Sequence, residues 1–168
     1  WQAFFFIPLG AMQTCIVPVV SYNFAAGKYE RCKKTLKVAI GFGVALMMIG
    51  VVLFETIPGQ MLHVFSHDPE VIRIGVVAFR FIGISFVPLV SSLTFPVFFQ
   101  ALGHAATSSI LTIIRTVFLF IPLAYLFSRF GLNWFWLTFP VTDSITTLAG
   151  YLFYRKFNKS MPSAAGEA

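Results

Sequence analysis

Residues 105–127 read AATSSILTIIRTVFLFIPLAYLF, an apolar stretch that contains a single charged residue, Arg115. The next apolar stretch, residues 133–154, contains Asp143 at a similar distance from its start. Each stretch has the ~20 residues that an α-helix needs to cross a bilayer. Consecutive membrane helices run antiparallel, so both charges are predicted near the midplane, where a charge is rarely kept without a partner or a water-filled cavity. The pair therefore predicts helices that line an interior path.

The composition assigns the chain to the integral membrane proteins. Of its 168 residues, 58% are hydrophobic and 11% are charged, and the mean hydropathy is +0.84. A soluble domain has about 25% charged residues. The net charge of +6 resides in loops and in the tail, where membrane topology explains it, so no nucleic-acid partner is predicted. His63 and His67 have a chelating spacing but lack a third ligand, so no metal site is predicted.

Five membrane helices are predicted, followed by a cytoplasmic tail at residues 161–168. Together they form an all-α integral membrane fold. The start of the third helix carries a capping signal, because Asp68 suits the N-cap position and Pro69 the first helical turn. The predicted helices span about residues 3–23, 35–57, 69–100, 105–127 and 133–154.

Basic residues predict the orientation of these helices. Loops rich in Lys and Arg stay on the cytoplasmic side of a membrane. We therefore expect a multi-pass protein of the inner (plasma) membrane with a cytoplasmic C-terminus. The chain begins with Trp1 in apolar sequence, so we also expect a fragment whose upstream part is missing. The two basic groups are Lys28, Arg31, Lys33, Lys34 and Lys37 in the first loop, and Arg155, Lys156 and Lys159 in the tail.

Three local patterns lie in a fixed order along the chain. Residues 18–31 read PVVSYNFAAGKYER, and residues 98–103 read FFQALG and precede Arg115. The third pattern consists of Gly131-Leu132-Asn133, Trp136, Phe139-Pro140 and Asp143. In order and spacing, they resemble the last five helices in the C-terminal half of multidrug and toxic compound extrusion (MATE) transporters. The resemblance covers almost the whole chain. Ala25 departs from the family, which often has Gly there, but no departure removes a charged residue.

The resemblance implies a secondary active antiporter. Such a protein has twelve helices in two six-helix lobes, and a central cavity binds amphipathic or cationic organic compounds. Protons or sodium ions drive export, so a coupling cation is expected and no other cofactor. This chain would supply five helices of the C-terminal lobe, with lipid, the small organic substrate and the missing N-terminal lobe as its partners. An isolated half cannot alternate access by rocking one lobe against the other, so the chain alone is predicted to be inactive.

Asp143 and Arg115 are the candidate functional pair, and two interpretations remain open. In the first, Asp143 binds the coupling cation or a cationic substrate, and the pair breaks during transport. In the second, the pair is a permanent salt bridge that holds two helices in register. The resemblance adds that the coupling acid lies in different lobes in different subgroups.

Candidate residues for a substrate cavity are one amide and three aromatic side chains. Gln13, near the middle of the first predicted helix, either contacts substrate or hydrogen-bonds a neighbouring helix. Phe95, Phe98 and Phe118 either stack on a substrate or pack the helix bundle.

Pro88 and Pro96 interrupt the third predicted helix and are candidate hinges. Proline removes a backbone donor and kinks a helix, so these positions form either a hinge for alternating access or a static bend. Two other functions also stay open: a flippase for lipid-linked precursors, of the same superfamily, and a non-transporting membrane scaffold. The sequence shows no acid pair in a shared setting, no Ser, His and Asp placed so that they would meet, and no phosphate-binding glycine loop, so no enzyme is predicted.

Overall fold

The computed structural model describes residues 1–160, and this part of the chain consists of helices joined by short connections, without strands. The tail predicted at residues 161–168 lies outside the described residues. In chain order the elements are α1 (Gln2–Ala25), α2 (Tyr29–Thr56), α3 (Pro58–His63), α4 (Pro69–Ala101), α5 (Ala105–Ile113), a π-helical segment (Ile114–Phe120), α6 (Ile121–Ser128), α7 (Leu132–Phe135) and α8 (Thr138–Ser160).

The predicted all-α membrane fold is confirmed. Within residues 1–160, four helices are long and apolar enough to cross a membrane: α1, α2, α4 and the continuous run Ala105–Ser128, which joins α5, the π-helical segment and α6. The fifth long helix, α8, has 23 residues but is less apolar. Each apolar run forms a helix because a membrane-length segment has to satisfy its backbone hydrogen bonds internally.

Three helix boundaries differ by five or six residues from the sequence-based prediction, and one of them is the end of the fifth helix, which reaches Ser160 rather than residue 154. The fifth helix starts at Thr138 rather than at residue 133, and the short helix α7 precedes it. Pro140 explains the later start, because proline lacks an N–H and is tolerated in the first turn of a helix. Helix α2 starts at Tyr29, before the predicted residue 35, because the basic stretch is itself helical. There Lys33 Nζ lies 2.7 Å from Glu30 Oε1, which is a stabilising i,i+3 pair.

The start of α4 matches its sequence signal. The Asp68 side chain caps the helix, accepting a hydrogen bond from the Glu70 N–H at 2.8 Å, and Pro69 occupies the first turn. The helix then continues without a break to Ala101. Its predicted N-cap is therefore confirmed.

Helix α4 is the centre of the bundle and packs against α1, α2, α5 and α8. Glycines on the neighbouring helices allow this close approach. A Cβ atom on Gly43 of α2 would lie 2.6 Å from Val90 Cγ1, and one on Gly150 of α8 would lie 2.5 Å from Phe95 Cδ2. Small residues have this role in membrane bundles because they bring helix backbones together. Helix α4 thus fixes the positions of α1 and of α8, the helix that carries Asp143.

Candidate functional site

Arg115 and Asp143 form an ion pair between the π-helical segment and α8. Arg115 Nε donates to Asp143 Oδ1 at 2.9 Å, and Arg115 Nη2 lies 2.9 Å from the same oxygen. The Asp143 side chain is 2% exposed, whereas that of Arg115 is 27% exposed. The carboxylate is therefore enclosed by protein, and the guanidinium keeps one open side.

Ser92 of α4 is a third member of this group. Its Oγ lies 3.0 Å from Asp143 Oδ1 and 2.9 Å from the Leu89 carbonyl oxygen, so one hydroxyl proton is shared between two acceptors. The charged pair and Ser92 thus join α4, α8 and the π-helical segment at one point. Ser92 was not among the predicted site residues, because nothing in the sequence sets the rotation of α4 relative to α8.

The π-helical segment determines which side chains accompany Arg115. In a π-helix the backbone hydrogen bond joins residues five apart, and such segments are frequent at functional sites. Residue i+5 is consequently turned toward the face of residue i, which brings Phe120 to the side of Arg115. In a regular α-helix these two residues would point in different directions.

A cavity of about 480 Å³ lies beside the ion pair. Side chains from α1, α4, the π-helical segment and α8 form its walls. Most are apolar or aromatic, and Arg115 and Asp143 are its only charged residues within the described chain. The lining residues are Gln2, Phe6, Leu9, Gly10, Gln13, Leu89, Leu93, Arg115, Thr116, Phe120, Phe139, Thr142 and Asp143.

Two buried polar atoms in this cavity wall have no partner among the described residues. They are Gln13 Nε2, a donor, and Thr142 Oγ1, which can donate or accept. Buried polar groups are normally hydrogen-bonded, so unpartnered ones point to a ligand or water. Together with Arg115 and Asp143, they give the cavity both donors and acceptors among apolar walls.

The three predicted aromatic candidates do not line this cavity. Phe95 and Phe98 are 5% and 1% exposed and pack in the core between helices, where both contact the Tyr154 ring. Phe118 is 67% exposed on the outer side of the π-helical segment. The aromatic walls are instead Phe6, Phe120 and Phe139. Of these, Phe139 had a usable sequence signal, since it is one helical turn before Asp143.

Pro88 and Pro96 lie within the unbroken helix α4. Near Pro88, α4 is tied to α8, because Thr147 Oγ1 donates to the Pro88 carbonyl at 2.7 Å. Pro96 is buried in the bundle. Bending at Pro88 would therefore change a contact with α8 as well as the shape of α4.

The MatE family model matches residues 1–126, which is most of the chain. The chain belongs to the MatE family. The resemblance noted in the sequence is thereby confirmed, and this MatE chain is part of an integral membrane protein. Arg115 lies within the matched residues, and Asp143 lies beyond them.

One curated relative is an FAD transporter of Shewanella oneidensis, 23% identical over 142 residues, or 84% of this chain and 31% of the relative. Two solved structures are the outward-facing and inward-facing conformations of a multidrug resistance MATE family transporter. The outward-facing structure has a TM-score of 0.89 and 19% identity, over 95% of this chain and 37% of that one. The inward-facing structure has a TM-score of 0.89 and 18% identity, over 98% and 39%. The chain thus spans about a third of these relatives, and the structural likeness shows the fold.

Proposed function

We propose that the chain is part of a secondary active antiporter that exports amphipathic or cationic organic compounds in exchange for protons or sodium ions. The observation that carries this proposal is the Arg115–Asp143 pair in the wall of the apolar cavity. A scaffold protein needs no charged pair at this depth, because each charge in a membrane helix is costly.

The coupling step follows from the geometry of the carboxylate. Arg115 and Ser92 both contact Oδ1 of Asp143, so a cation that binds this oxygen competes with the guanidinium. A proton or sodium ion on Asp143 would neutralise the carboxylate and weaken its attraction for Arg115. Arg115, which already has an open side toward the cavity, would then be free to turn. A cationic substrate that binds the Asp143 carboxylate would compete with the coupling cation for it, so the binding of one excludes the other, as antiport requires.

Alternating access requires a second lobe, which the rest of the protein would supply. The same lobe fold matches an outward-facing and an inward-facing transporter equally well, and this supports a lobe that keeps its overall fold during transport and bends only locally. We place the basic end of α2 and the C-terminus in the cytoplasm, in an inner (plasma) membrane, on the positive-inside rule. Pro88 and Pro96 are the proposed hinges within the lobe.

The cavity favours an amphipathic substrate. Its volume of about 480 Å³ is typical of a small-molecule site, and its apolar and aromatic walls suit an organic ring system. Gln13, Thr142 and the charged pair supply the polar contacts. The described cavity carries one positive and one negative side chain, which gives less support to a flippase with a strongly cationic cavity.

A second candidate is the export of an anionic cofactor. The relative named as an FAD transporter motivates it, and two donors in the cavity, Gln13 Nε2 and the Arg115 guanidinium, favour an acceptor-rich ligand. In this case Arg115 would turn from Asp143 and hold the substrate directly.

The test is export from vesicles that contain the full-length protein, driven in turn by a proton gradient and by a sodium gradient. A cationic dye and FAD serve as separate cargoes. Gradient-dependent dye export that is lost in Asp143→Asn supports the main proposal. FAD export that is lost in Arg115→Gln, without dye export, supports the second candidate. Dye export that persists in Asp143→Asn contradicts coupling through this residue.

A further inference from the structure

A second groove lies between α1 and α2 and shares no lining residue with the charged cavity. It has a volume of about 670 Å³. Its apolar walls are exposed: Val19 is 46%, Val38 61% and Phe42 61% accessible. At one end of the groove stand two basic residues, Arg31 and Lys34, both exposed. The groove is therefore apolar along its length and cationic at a single end.

The two basic side chains have no acidic partner in the described part of the chain. The nearby acid, Glu30, pairs with Lys33 at 2.7 Å. Arg31 and Lys34 are three residues apart on α2, so they project from the same face of the helix. An arginine fork and a lysine ammonium at this separation suit a phosphate group, since both bind phosphate oxygens by charge-assisted hydrogen bonds.

The length of the groove fits one leaflet of a bilayer. From Arg31 to Phe42 the helix rises by about 16 Å, which is roughly half of the ~30 Å hydrocarbon thickness. Basic residues at the cytoplasmic surface attract anionic lipids, by ~1 kcal/mol per residue. In the orientation proposed above, the basic end of the groove lies at this surface.

We propose that the groove between α1 and α2 is a binding site for an anionic phospholipid of the cytoplasmic leaflet. Its phosphate lies between Arg31 and Lys34, and one acyl chain lies along Val19, Val38 and Phe42. The charge at one end and the apolar walls beyond it match the two parts of such a lipid. The site lies apart from the cavity at Asp143, so lipid binding does not require that the transport proposal be correct.

The test uses the full-length protein, stripped of lipid in detergent and titrated with phosphatidylglycerol or phosphatidylcholine of identical acyl chains. Bound lipid is counted by native mass spectrometry. We expect phosphatidylglycerol, which is anionic, to bind more tightly than phosphatidylcholine, which has no net charge. The double variant Arg31→Gln, Lys34→Gln should weaken it by roughly 10- to 30-fold, which is ~1 kcal/mol per charge converted at ~1.4 kcal/mol per tenfold.

Two further variants separate a site from diffuse attraction. Lys37→Gln removes a neighbouring exposed charge that does not line the groove, and it should change binding less than twofold. Val38→Trp fills the groove and should lower the binding of both lipids. Equal losses in Lys37→Gln and the double variant, or equal binding of the two lipids, overturn the proposal. So does cross-linking of Cys15, which lines the groove, to the other half of the protein or to a second copy.

Discussion

The side chains of Arg115 and Asp143, 28 residues apart in the sequence, meet at 2.9 Å between the π-helical segment and α8. Removing one partner leaves the other as an unpaired charge, which for a buried pair costs ~3–5 kcal/mol. We expect Asp143→Asn and Arg115→Gln each to destabilise the protein, toward the lower end of this range because Arg115 is partly exposed. The double variant should lose less stability than the sum of the losses in the two single variants. Thermal unfolding of the full-length protein in detergent measures all three.

Exchange of the two charges distinguishes a structural from a transporting pair. Arg115→Asp combined with Asp143→Arg keeps opposite charges in contact but moves the carboxylate to the other helix. We expect recovery of folding without recovery of gradient-driven export, because the oxygen that binds the cation no longer faces Ser92. Full recovery of both would mean that the pair only holds the helices together.

Gly150 is predicted to be intolerant of a side chain. A Cβ atom there would lie 2.5 Å from Phe95 Cδ2, and overpacking of this kind costs ~1–3 kcal/mol. Gly150→Ala should therefore lower the unfolding temperature, although alanine is the better helix former. Gly41→Ala is the matched control, because no atom lies within 4 Å of its Cβ position. Combining Gly150→Ala with Phe95→Leu should recover part of the loss, and a failure to do so would place the clash elsewhere.

The hydrogen bond from Thr147 to the Pro88 carbonyl offers a test of the hinge. Thr147→Val keeps the shape of the side chain and removes one hydrogen bond, worth ~0.5–1.5 kcal/mol. If α4 bends at Pro88 during transport, the motion has to break this bond, so the variant should export faster. Thr14→Val is the control, because Thr14 bonds only to the Gly10 carbonyl of its own helix. An unchanged export rate in Thr147→Val indicates a static bend.

Sequence reasoning recovers the helices because the signals for them are local. Apolar runs of membrane length and the Asp68-Pro69 start of α4 each depend on a few neighbouring residues. The sequence also predicts that Arg115 and Asp143 lie at one depth, since depth follows from counting along a helix. Pro140 is a local signal for the start of α8 at Thr138. The sequence alone does not show whether this proline lies in the first turn of a helix or farther along it.

The rotation of each helix about its own axis could not be predicted from the sequence. Ser92 contacts Asp143 only because of how α4 packs on α8. Phe95 points into the core rather than into the cavity for the same reason. The π-helical segment adds a second difficulty, because no simple periodicity in residues 114–120 indicates a change from hydrogen bonds four residues apart to bonds five apart.

We expect the chain alone to be inactive in transport. It spans about a third of its relatives, and a single lobe has no opposing lobe against which to rock. Vesicles that contain only this chain should show no gradient-driven dye export. Co-expression with the remainder of the protein should restore it, and a helical far-UV circular dichroism spectrum of the isolated chain in detergent checks that it was folded when tested alone. Export by the isolated chain would contradict the two-lobe mechanism.

Because of the π-helical segment, we expect different effects of substitution at Phe118 and Phe120, which are two residues apart. Phe120 lines the cavity beside Arg115, whereas Phe118 is 67% exposed and lies outside it. Phe120→Ala should therefore raise the substrate concentration needed for half-maximal export, because stacking on an aromatic ring is worth ~0.5–1.5 kcal/mol beyond its buried area. Phe118→Ala should leave this concentration within twofold. The reverse result would mean that the segment is a regular α-helix during transport, since that geometry turns Phe120 away from Arg115 and brings Phe118 closer to it.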